Sequence, residues 1–425
     1  MRFNRICSVL LASILIIAFT FSVGAQEKPI KIGTVLPLSG DFATYGPPLL
    51  ESARLAATQF NEAGGILGRE IKIVSRDNKS DPTSGVDAAK KLINVDKVQA
   101  IIGALGSGIS MPIAESAVIP AKVIQVSLST TPLLTDLEDD DYIFRTIASD
   151  KYVGVMTGQL ALDLGYDSIT VIYVNNAYGE GIATAAVDWY KKQGGNVVSF
   201  IPYNMGKSSY KSELSQATKK NSDALLLIAH KEYGSVILRQ AFQGGYVKKF
   251  NENFIFSSSL KTSEVVEAIG AKYLQGTHGT AAGAKETPTR DIFKKSFEKE
   301  YGRSPATPYM EHAYDAGMVL GLAIQHAGEY SSAALRDSLR AVANPPGEKI
   351  YGGVDEVKKA IDLLKEGKDI NYQGAASEVT FNQNGDIVTP VLIWKINENG
   401  EFVEVRSEEL EVVNGKVVPA DTVEE

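Results

Sequence analysis

IKIGTVLPL, residues 30–38, is a short apolar run that stops at Ser39 and Gly40. A run of this length bounded by turn residues is typical of a buried strand. The segment that follows carries apolar residues on one helical stripe from Leu49 to Phe60 and ends at Gly64 and Gly65. A strand joined directly to an amphipathic helix is the repeating unit of α/β proteins with parallel sheets.

The same alternation continues along the chain. Further strands are predicted at 70–77, 98–103 and 122–127, and a second run starting near Asp150 adds strands at 168–174, 196–201, 223–229 and 254–257. The two runs span roughly 110 to 130 residues each, which is an ordinary domain size. Residues 288–367 are predicted to be mostly helical. The tail from Ser377 predicts strands with turns at Asn384 and Asn399, each followed by glycine.

The first 25 residues predict a secretory signal peptide. Arg2 and Arg5 precede an uncharged, largely apolar run at 9–23, and small residues at 24–25 offer a cleavage site. An uncleaved anchor is the rival interpretation, but the run is short of the roughly 20 residues that span a bilayer. We therefore expect export to the periplasm, cleavage near Ala25 and no stable membrane insertion. Cys7, the single cysteine, precedes the apolar run, so neither a lipid-modified cysteine nor a disulfide is expected.

Charge and motifs disfavour several function classes. The chain has 43 Lys and Arg against 51 Asp and Glu, and loss of the two leader arginines takes the net charge from −8 to −10. A protein with this negative charge is not expected to bind nucleic acid. The four histidines lack metal-ligand spacing, and the acidic run at 138–141 is interpreted as a solvated turn. No P-loop, dinucleotide fingerprint or nucleophile elbow is present, so we predict no cofactor, no metal and no enzymatic activity.

Polar side chains follow the predicted strands of both runs at the same end. In open α/β sheets, ligands bind beyond the carboxyl ends of the strands. Each residue also has a structural interpretation as a helix cap, a packing aromatic or a half-buried histidine. The first run offers hydroxyls and a helix start that suit a carboxylate or carbonyl oxygen, and the second offers an aromatic face. The candidates are Ser107, Ser129, Thr130, Tyr178, His230 and Ser258.

Several motifs, in this order and spacing, carry a resemblance to a known family. They include the opening strand with Tyr45 and Gly46, the helix end NEAGGILG at 61–68, Asp81 with Pro82, TTPLLT at 130–135, and Phe144 with Arg145. Tyr178 with Gly179, YDA at 314–316 and the segment 381–386 extend the match to the end. The chain resembles the periplasmic branched-chain amino acid binding proteins, the type I solute-binding components of ABC importers.

The resemblance implies an α/β fold of two Rossmann-like lobes joined by three crossovers. Lobe 1 is expected at 29–147 plus 277–374, and lobe 2 at 148–276 plus 375–425. The lobes are expected to close around a small-molecule ligand and present the closed form to an ABC importer permease. Ser107 and Thr130, or Thr131 if the alignment slips by one, fall on the carboxylate-binding positions, with Ser129 supplying a backbone N–H. Tyr45, Tyr178 and His230 fall on positions where members of the family contact the ligand with aromatic side chains.

One departure from the family pattern bears on the ligand. Amino acid binders of the family carry an acidic residue after the strand at 254–257, whereas this chain has Ser258 there. Either Glu232 or Asp315 supplies the charge that a buried ammonium needs, or the ligand has no ammonium group, which is the interpretation we favour. An amide, a urea-like molecule or a small carboxylate fits as well as an amino acid. A ligand-sensing receptor domain of the same fold is the alternative function.

Overall fold

The computed structural model describes residues 28–413 and 416–419, which form an α/β protein with two main sheets. The predicted signal peptide and the acidic end at 421–425 lie outside the described residues. In chain order the strands are β1 (Ile30–Leu36), β2 (Ile71–Asp77), β3 (Ala100–Gly103), β4 (Ile124–Ser127), β5 (Ile143–Arg145), β6 (Ser168–Val174), β7 (Asn196–Tyr203), β8 (Ala224–Ile228), β9 (Phe254–Phe256), β10 (His278–Ala282), β11 (Glu348–Ile350), β12 (Ile370–Tyr372), β13 (Val391–Ile396), β14 (Phe402–Glu408), β15 (Leu410–Val413) and β16 (Lys416–Pro419).

The helices alternate with the strands through the first two thirds of the chain and then follow one another. They are α1 (Gly46–Glu62), α2 (Pro82–Lys91), α3 (Ser107–Ile113), α4 (Ile119–Ala121), α5 (Asp150–Asp163), α6 (Ala177–Lys192), α7 (Lys211–Ala217), α8 (Lys231–Gln243), α9 (Ser263–Ile269), α10 (Ala271–Leu274), α11 (Pro288–Tyr301), α12 (Met310–Ala327), α13 (Ser332–Ala343) and α14 (Val354–Lys365). The mostly helical segment predicted at 288–367 contains α11 to α14 and the short strand β11.

The first sheet is parallel, with strand order β2-β1-β3-β4-β5. Strand β1 pairs with β2 and β3, and all its residues except Lys31 are buried. Because helices cover both faces of such a sheet, its central strand is apolar almost without interruption. On one face, residues of α1 and α12 form a common core with it, which includes Leu49, Phe60 and Met318.

The second sheet has strand order β14-β13-β10-β9-β8-β6-β7. Strands β6 to β10 are parallel to one another, and β13 and β14 add an antiparallel edge. The turn predicted at Asn399 and Gly400 joins β13 to β14. This sheet has its own core, built on apolar strands such as ALLLI of β8. The two sheets with their helices are the two lobes of the fold.

The chain crosses between the lobes three times, and two crossings differ from the predicted boundaries. Strand β10 hydrogen-bonds to β9 and β13, so the return to the first lobe comes after Ala282 and not at Thr277. Phe381 and Ile387 lie in the core of the first lobe, so the last crossing comes shortly before Val391 and not at Gly374. Contacts between residues far apart in the sequence decide where both crossings lie. Such contacts leave no local sequence signal, so the two boundaries were predicted wrongly.

Candidate functional site

A cavity of about 1110 Å³ lies where the carboxyl ends of the two sheets face each other. Its volume is just above the range of roughly 300 to 1,000 Å³ that is usual for small-molecule sites. Residues of both lobes form its walls. The seven residues proposed from the sequence as the binding site line this one cavity: Tyr45, Ser107, Ser129, Thr130, Tyr178, His230 and Ser258.

The loop after β3 brings Ser107 to the cavity. Gly103 has φ +111°, and a Cβ on it would lie 2.4 Å from the carbonyl oxygen of Val35. Only glycine is tolerated where the backbone is left-handed and this close to another strand. The chain turns there and begins α3 at Ser107, which is 5% exposed.

The loop after β4 provides the second part of the first-lobe wall. The Ser129 hydroxyl donates to the Ser107 hydroxyl over 3.0 Å, which leaves the Ser107 hydrogen available to another acceptor. Thr130 lines the cavity and is partly exposed. Thr131, the alternative position, is buried and its hydroxyl donates to the Ala177 carbonyl over 2.7 Å. Ser107, Ser129 and Thr130, called here the hydroxyl cluster, therefore form the polar part of this wall.

The second-lobe wall is aromatic. The rings of Tyr178 and His230 stack with centroids 5.0 Å apart, and Phe42 of the first lobe meets the edge of His230 at 5.9 Å. The Tyr178 hydroxyl is hydrogen-bonded to the Ser259 hydroxyl over 2.9 Å. Burial lowers the pKa of His230 and raises the pKa of Tyr178, so both rings are neutral at pH 7. This wall offers apolar ring faces with few polar atoms, and Ser258 lies beside it.

A buried ion pair holds the hydroxyl cluster in place. Arg145, 1% exposed, contacts Asp386 over 2.5 Å, and Asp386 belongs to the segment that leads to the third crossing. The same guanidinium donates to the carbonyl oxygens of Ser129 and Thr131, over 3.3 and 2.8 Å. Because these two carbonyls flank Thr130, Arg145 fixes the direction in which the loop presents its hydroxyls.

The structure adds Tyr309 and His312, which the sequence analysis missed, to the cavity. Tyr309 lies 6.3 Å from Tyr45 between ring centroids and precedes α12. Nδ1 of His312 lies 2.7 Å from the Thr146 carbonyl oxygen and therefore carries the hydrogen. Burial lowers the pKa of His312 to about 4, so the ring is neutral. Pro305 and Pro308 are the only local signal of the loop that brings these residues to the cavity.

The two carboxylates suggested as partners for an ammonium differ in position. Asp315 is fully buried away from the cavity and accepts hydrogen bonds from the Tyr372 hydroxyl and the N–H groups of Ala375 and Ala376. It therefore stabilises the fold, and its proposal as a ligand contact was wrong. Glu232 does line the cavity, but its side chain is exposed.

The described residues contain neither a metal-binding cluster nor a membrane-spanning helix. No group of three or more His, Cys, Asp or Glu that could hold a metal ion is found there. In the acidic turn, Asp139 accepts the N–H groups of Asp141 and Ile143, and Asp141 pairs with Arg340. Among residues 28–413 and 416–419, no helix is long and apolar enough to cross a membrane.

Comparison with known proteins agrees with this architecture. Residues 29–360 match the sequence profile of the family described as periplasmic binding protein. The chain belongs to the periplasmic binding protein family. This confirms the family predicted from the motifs. The family is extracytoplasmic. The relatives of this chain are binding proteins and not enzymes.

Three similar proteins place the chain within the family. The leucine-, isoleucine-, valine-, threonine- and alanine-binding protein of Pseudomonas aeruginosa is 27% identical over 79% of this chain and 88% of its own length. BasB of Halobacterium salinarum, a chemotactic signal transduction substrate-binding protein, is 25% identical over 88% of each chain. The crystal structure of a leucine binding protein from Thermotoga maritima matches with a TM-score of 0.71 at 24% identity, over 93% of this chain and all of that one. The last comparison supports the fold.

Proposed function

We propose that this periplasmic binding protein captures a small polar solute between its lobes and delivers it to the permease of an ABC importer. An amino acid, an amide and a small carboxylate are the solute classes that the cavity suits. The observation that carries the proposal is the convergence of residues from both sheets on a single cavity. The proposed contacts are the hydroxyl cluster, Tyr45, Tyr178, His230 and Ser258.

The hydroxyl cluster supports a carboxylate or carbonyl oxygen as the solute's anchoring group. Hydroxyl donors that are buried and already oriented lose little entropy when they bind an oxygen. Arg145 supports this by fixing the carbonyls on either side of Thr130, so the loop does not need to reorganise on binding. The stacked pair of Tyr178 and His230 offers the apolar part of the solute a flat surface.

Contacts between the lobes support closure as the binding mechanism. The Thr131 hydroxyl of the first lobe bonds the Ala177 carbonyl of the second, and Phe42 meets His230 across the cleft. Each lobe also has its own large core. A solute that touches both lobes only when they are together would shift the equilibrium toward the closed form by its differential affinity.

Export completes the proposal. Residues 1–25 would direct the chain out of the cytoplasm and be removed near Ala25. N-terminal sequencing or mass spectrometry of the protein recovered from the periplasmic fraction would test this. A mature chain that retains Arg2 and Arg5 would contradict cleavage.

A second candidate function is ligand sensing. The similarity to BasB, whose name places it in a chemotactic signal transduction system, favours it specifically. The two functions use the same cavity and differ in the partner that the closed form meets. Uptake of labelled solute by cells that lack this chain separates them, since loss of uptake indicates transport and loss of taxis alone indicates sensing.

A thermal-shift screen of the purified chain tests the proposed function. The screen would cover amino acids, amides, urea-like molecules and small aliphatic and aromatic carboxylates. A solute at a hundredfold excess over its Kd stabilises the folded protein by about 2.7 kcal/mol, which raises the melting temperature by a few degrees. The proposal predicts such a shift for at least one class. A screen in which no solute shifts the melting temperature would contradict it.

A further inference from the structure

A second, smaller cavity of about 180 Å³ adjoins the main one and shares four of its lining residues. Its volume is below the roughly 300 Å³ at which sites for whole ligands begin. This cavity, called here the side pocket, therefore has room for one end of a solute whose remainder lies in the main cavity. The residues that line it are Asp41, Phe42, Met205, His230, Glu232 and Tyr233.

The aromatic wall of the main cavity continues into the side pocket. His230 stacks on Tyr178 in the main cavity and meets Phe42 at 5.9 Å between ring centroids. Tyr233 adds a third ring from the first turn of α8, and Met205 adds a thioether from the loop after β7. The faces of aromatic rings attract cations, most effectively those that carry methyl or methylene groups. Four of the six lining residues thus suit an organic cation.

The other two lining residues are carboxylates from opposite lobes. Asp41 lies between β1 and α1 of the first lobe, and Glu232 lies in the first turn of α8 of the second. In the part of the chain that the structure describes, neither side chain forms an ion pair or a hydrogen bond. Burial raises the pKa of Tyr233, and the charges of Asp41 and Glu232 raise it further. Both carboxylates therefore lie near the Tyr233 hydroxyl.

No positive side chain of the side pocket offsets these two charges. Of the six residues that line it, none is Lys or Arg, and His230 is neutral because burial lowers its pKa. Lys231, which precedes Glu232, is bonded to Glu264 over 2.7 Å. Like charges that face each other across an interface oppose association. The closed lobes therefore hold two uncompensated negative charges against a pocket walled by aromatic rings.

We infer that the side pocket binds a positively charged nitrogen of the solute, at the end remote from the group that the hydroxyl cluster holds. The solute is then a zwitterion with separated charges, such as an alkanoate that carries a trimethylammonium group at its far end. A cation between Asp41 and Glu232 offsets their repulsion and contacts both lobes, so its binding favours the closed form. This inference rests on the proposed function and names the class of solute.

Matched pairs of ligands test for the charge alone. The probes are trimethylammonio alkanoates of increasing chain length and their carbon isosteres, in which a tert-butyl group replaces the trimethylammonium group. One such pair is 4-(trimethylammonio)butanoate and 5,5-dimethylhexanoate, which have the same shape and differ in the positive charge. Calorimetry with the purified chain measures both affinities. We expect the tightest cationic probe to bind at least about tenfold more tightly than its isostere.

The variant that tests the assignment combines Asp41→Asn and Glu232→Gln, which keep the shape of the side pocket and remove its charge. We expect the preference for the cationic probe to fall below about threefold, while the affinity of the isostere changes by less than that. The matched control is Glu115→Gln, because Glu115 is an exposed carboxylate that lines the main cavity and not the side pocket. It should leave the preference unchanged.

Salt and folding provide two further checks. Exposed charges are screened by salt, so the preference for the cation should decrease as the salt concentration rises. Both carboxylates are exposed, so the melting temperature of the double variant without solute should equal that of the parent chain within a few degrees.

The outcomes separate this inference from the proposed function. Equal affinities within every pair would overturn the inference, and so would a preference that survives in the double variant. If solutes of another class bind and no cationic probe does, the inference fails and the proposed function stands. If no solute of any class binds, both fail.

Discussion

At the residue scale, the cavity combines a few oriented polar groups with neutral aromatic surface. Ser129 and Ser107 are hydrogen-bonded to each other, and each is almost fully buried. Neither hydroxyl is therefore free to rotate away from the cavity at low cost. Tyr178 and His230 stack on each other on the facing lobe and remain uncharged. The first lobe therefore offers the solute oriented hydroxyl groups, and the second lobe offers it apolar ring faces.

Removal of a hydroxyl from the cluster should weaken binding without unfolding the protein. A hydrogen bond to a charged group contributes about 1.5 to 3 kcal/mol, so Ser107→Ala or Thr130→Ala should raise the Kd of the preferred solute roughly tenfold to a hundredfold. The unfolding free energy should change by no more than about 1 kcal/mol. Calorimetry and urea unfolding measure the two quantities. Ser235→Ala is the control, since that hydroxyl bonds the Lys231 carbonyl of its own helix. Unchanged affinity in both cluster variants would remove them from the site.

His312 gives the folded protein a pH dependence. Burial lowers its pKa to about 4, from about 6.5 in an exposed imidazole. The unfolded chain therefore binds a proton at this residue between pH 6.5 and 4 while the folded chain does not, and stability falls as the pH falls through that window. His312→Gln should lose less unfolding free energy between pH 7 and pH 5 than the parent chain. Urea unfolding at the two pH values measures this, and an equal loss in both proteins would contradict it.

Most of the candidate site was accessible from the sequence because strand ends are easy to recognise. Ser107, Ser129 and His230 each follow an apolar run that the structure confirms as a strand. Tyr309 was missed because it belongs to a loop between two helices, and no strand precedes it.

At the element scale, the loop after β4 is tied to the segment leading to the third crossing. Arg145 ends β5, pairs with Asp386, and donates to two carbonyls of that loop. The Arg145 N–H also bonds the Gly385 carbonyl, which follows the predicted turn at Asn384. The end of β5 and the segment before the third crossing thus also orient the hydroxyl cluster.

Disruption of this ion pair should reduce both stability and affinity. Asp386→Asn leaves the buried Arg145 charge without its partner, and loss of one member of a buried pair costs about 3 to 5 kcal/mol of unfolding free energy. Asp141→Asn, which removes the partner of Arg340 in a partly exposed pair, should cost about 1 kcal/mol or less. Denaturant unfolding compares them. Equal losses in the two variants would show that Arg145 does not depend on Asp386.

The order of elements was predictable, but the sheet to which a late strand belongs was not. Strand β6 was predicted with the bounds that the structure has, because ITVIYV, after Ser168, is an uninterrupted run of β-branched and aromatic residues. Strand β10 was not predicted as part of the second sheet. Its assignment depends on pairing between His278 and Lys395, which lie far apart in the sequence. Local periodicity carries no information about such pairing.

At the scale of the whole molecule, two lobes with separate cores face each other across one cavity. Three crossings connect them, and the direct contacts between them include the hydrogen bond from Thr131 to Ala177. A Cβ on Gly181 of α6 would lie 2.4 Å from Pro132 of the first lobe, so the lobes are close packed at that point. Separate cores joined by a small number of chain connections are what a hinge motion requires.

A disulfide across the cleft tests the central claim most directly. A Cβ on Gly108 would lie 3.9 Å from the Cβ of Asn176, within the span of roughly 3.5 to 4.5 Å that a disulfide bridges. Gly108→Cys and Asn176→Cys are combined in a chain with Cys7→Ser, and labelled solute from the thermal-shift screen is added before oxidation. The account predicts that the oxidised protein retains the label against excess unlabelled solute and releases it when reduced. Release at the same rate in both states would contradict closure of the lobes around the solute.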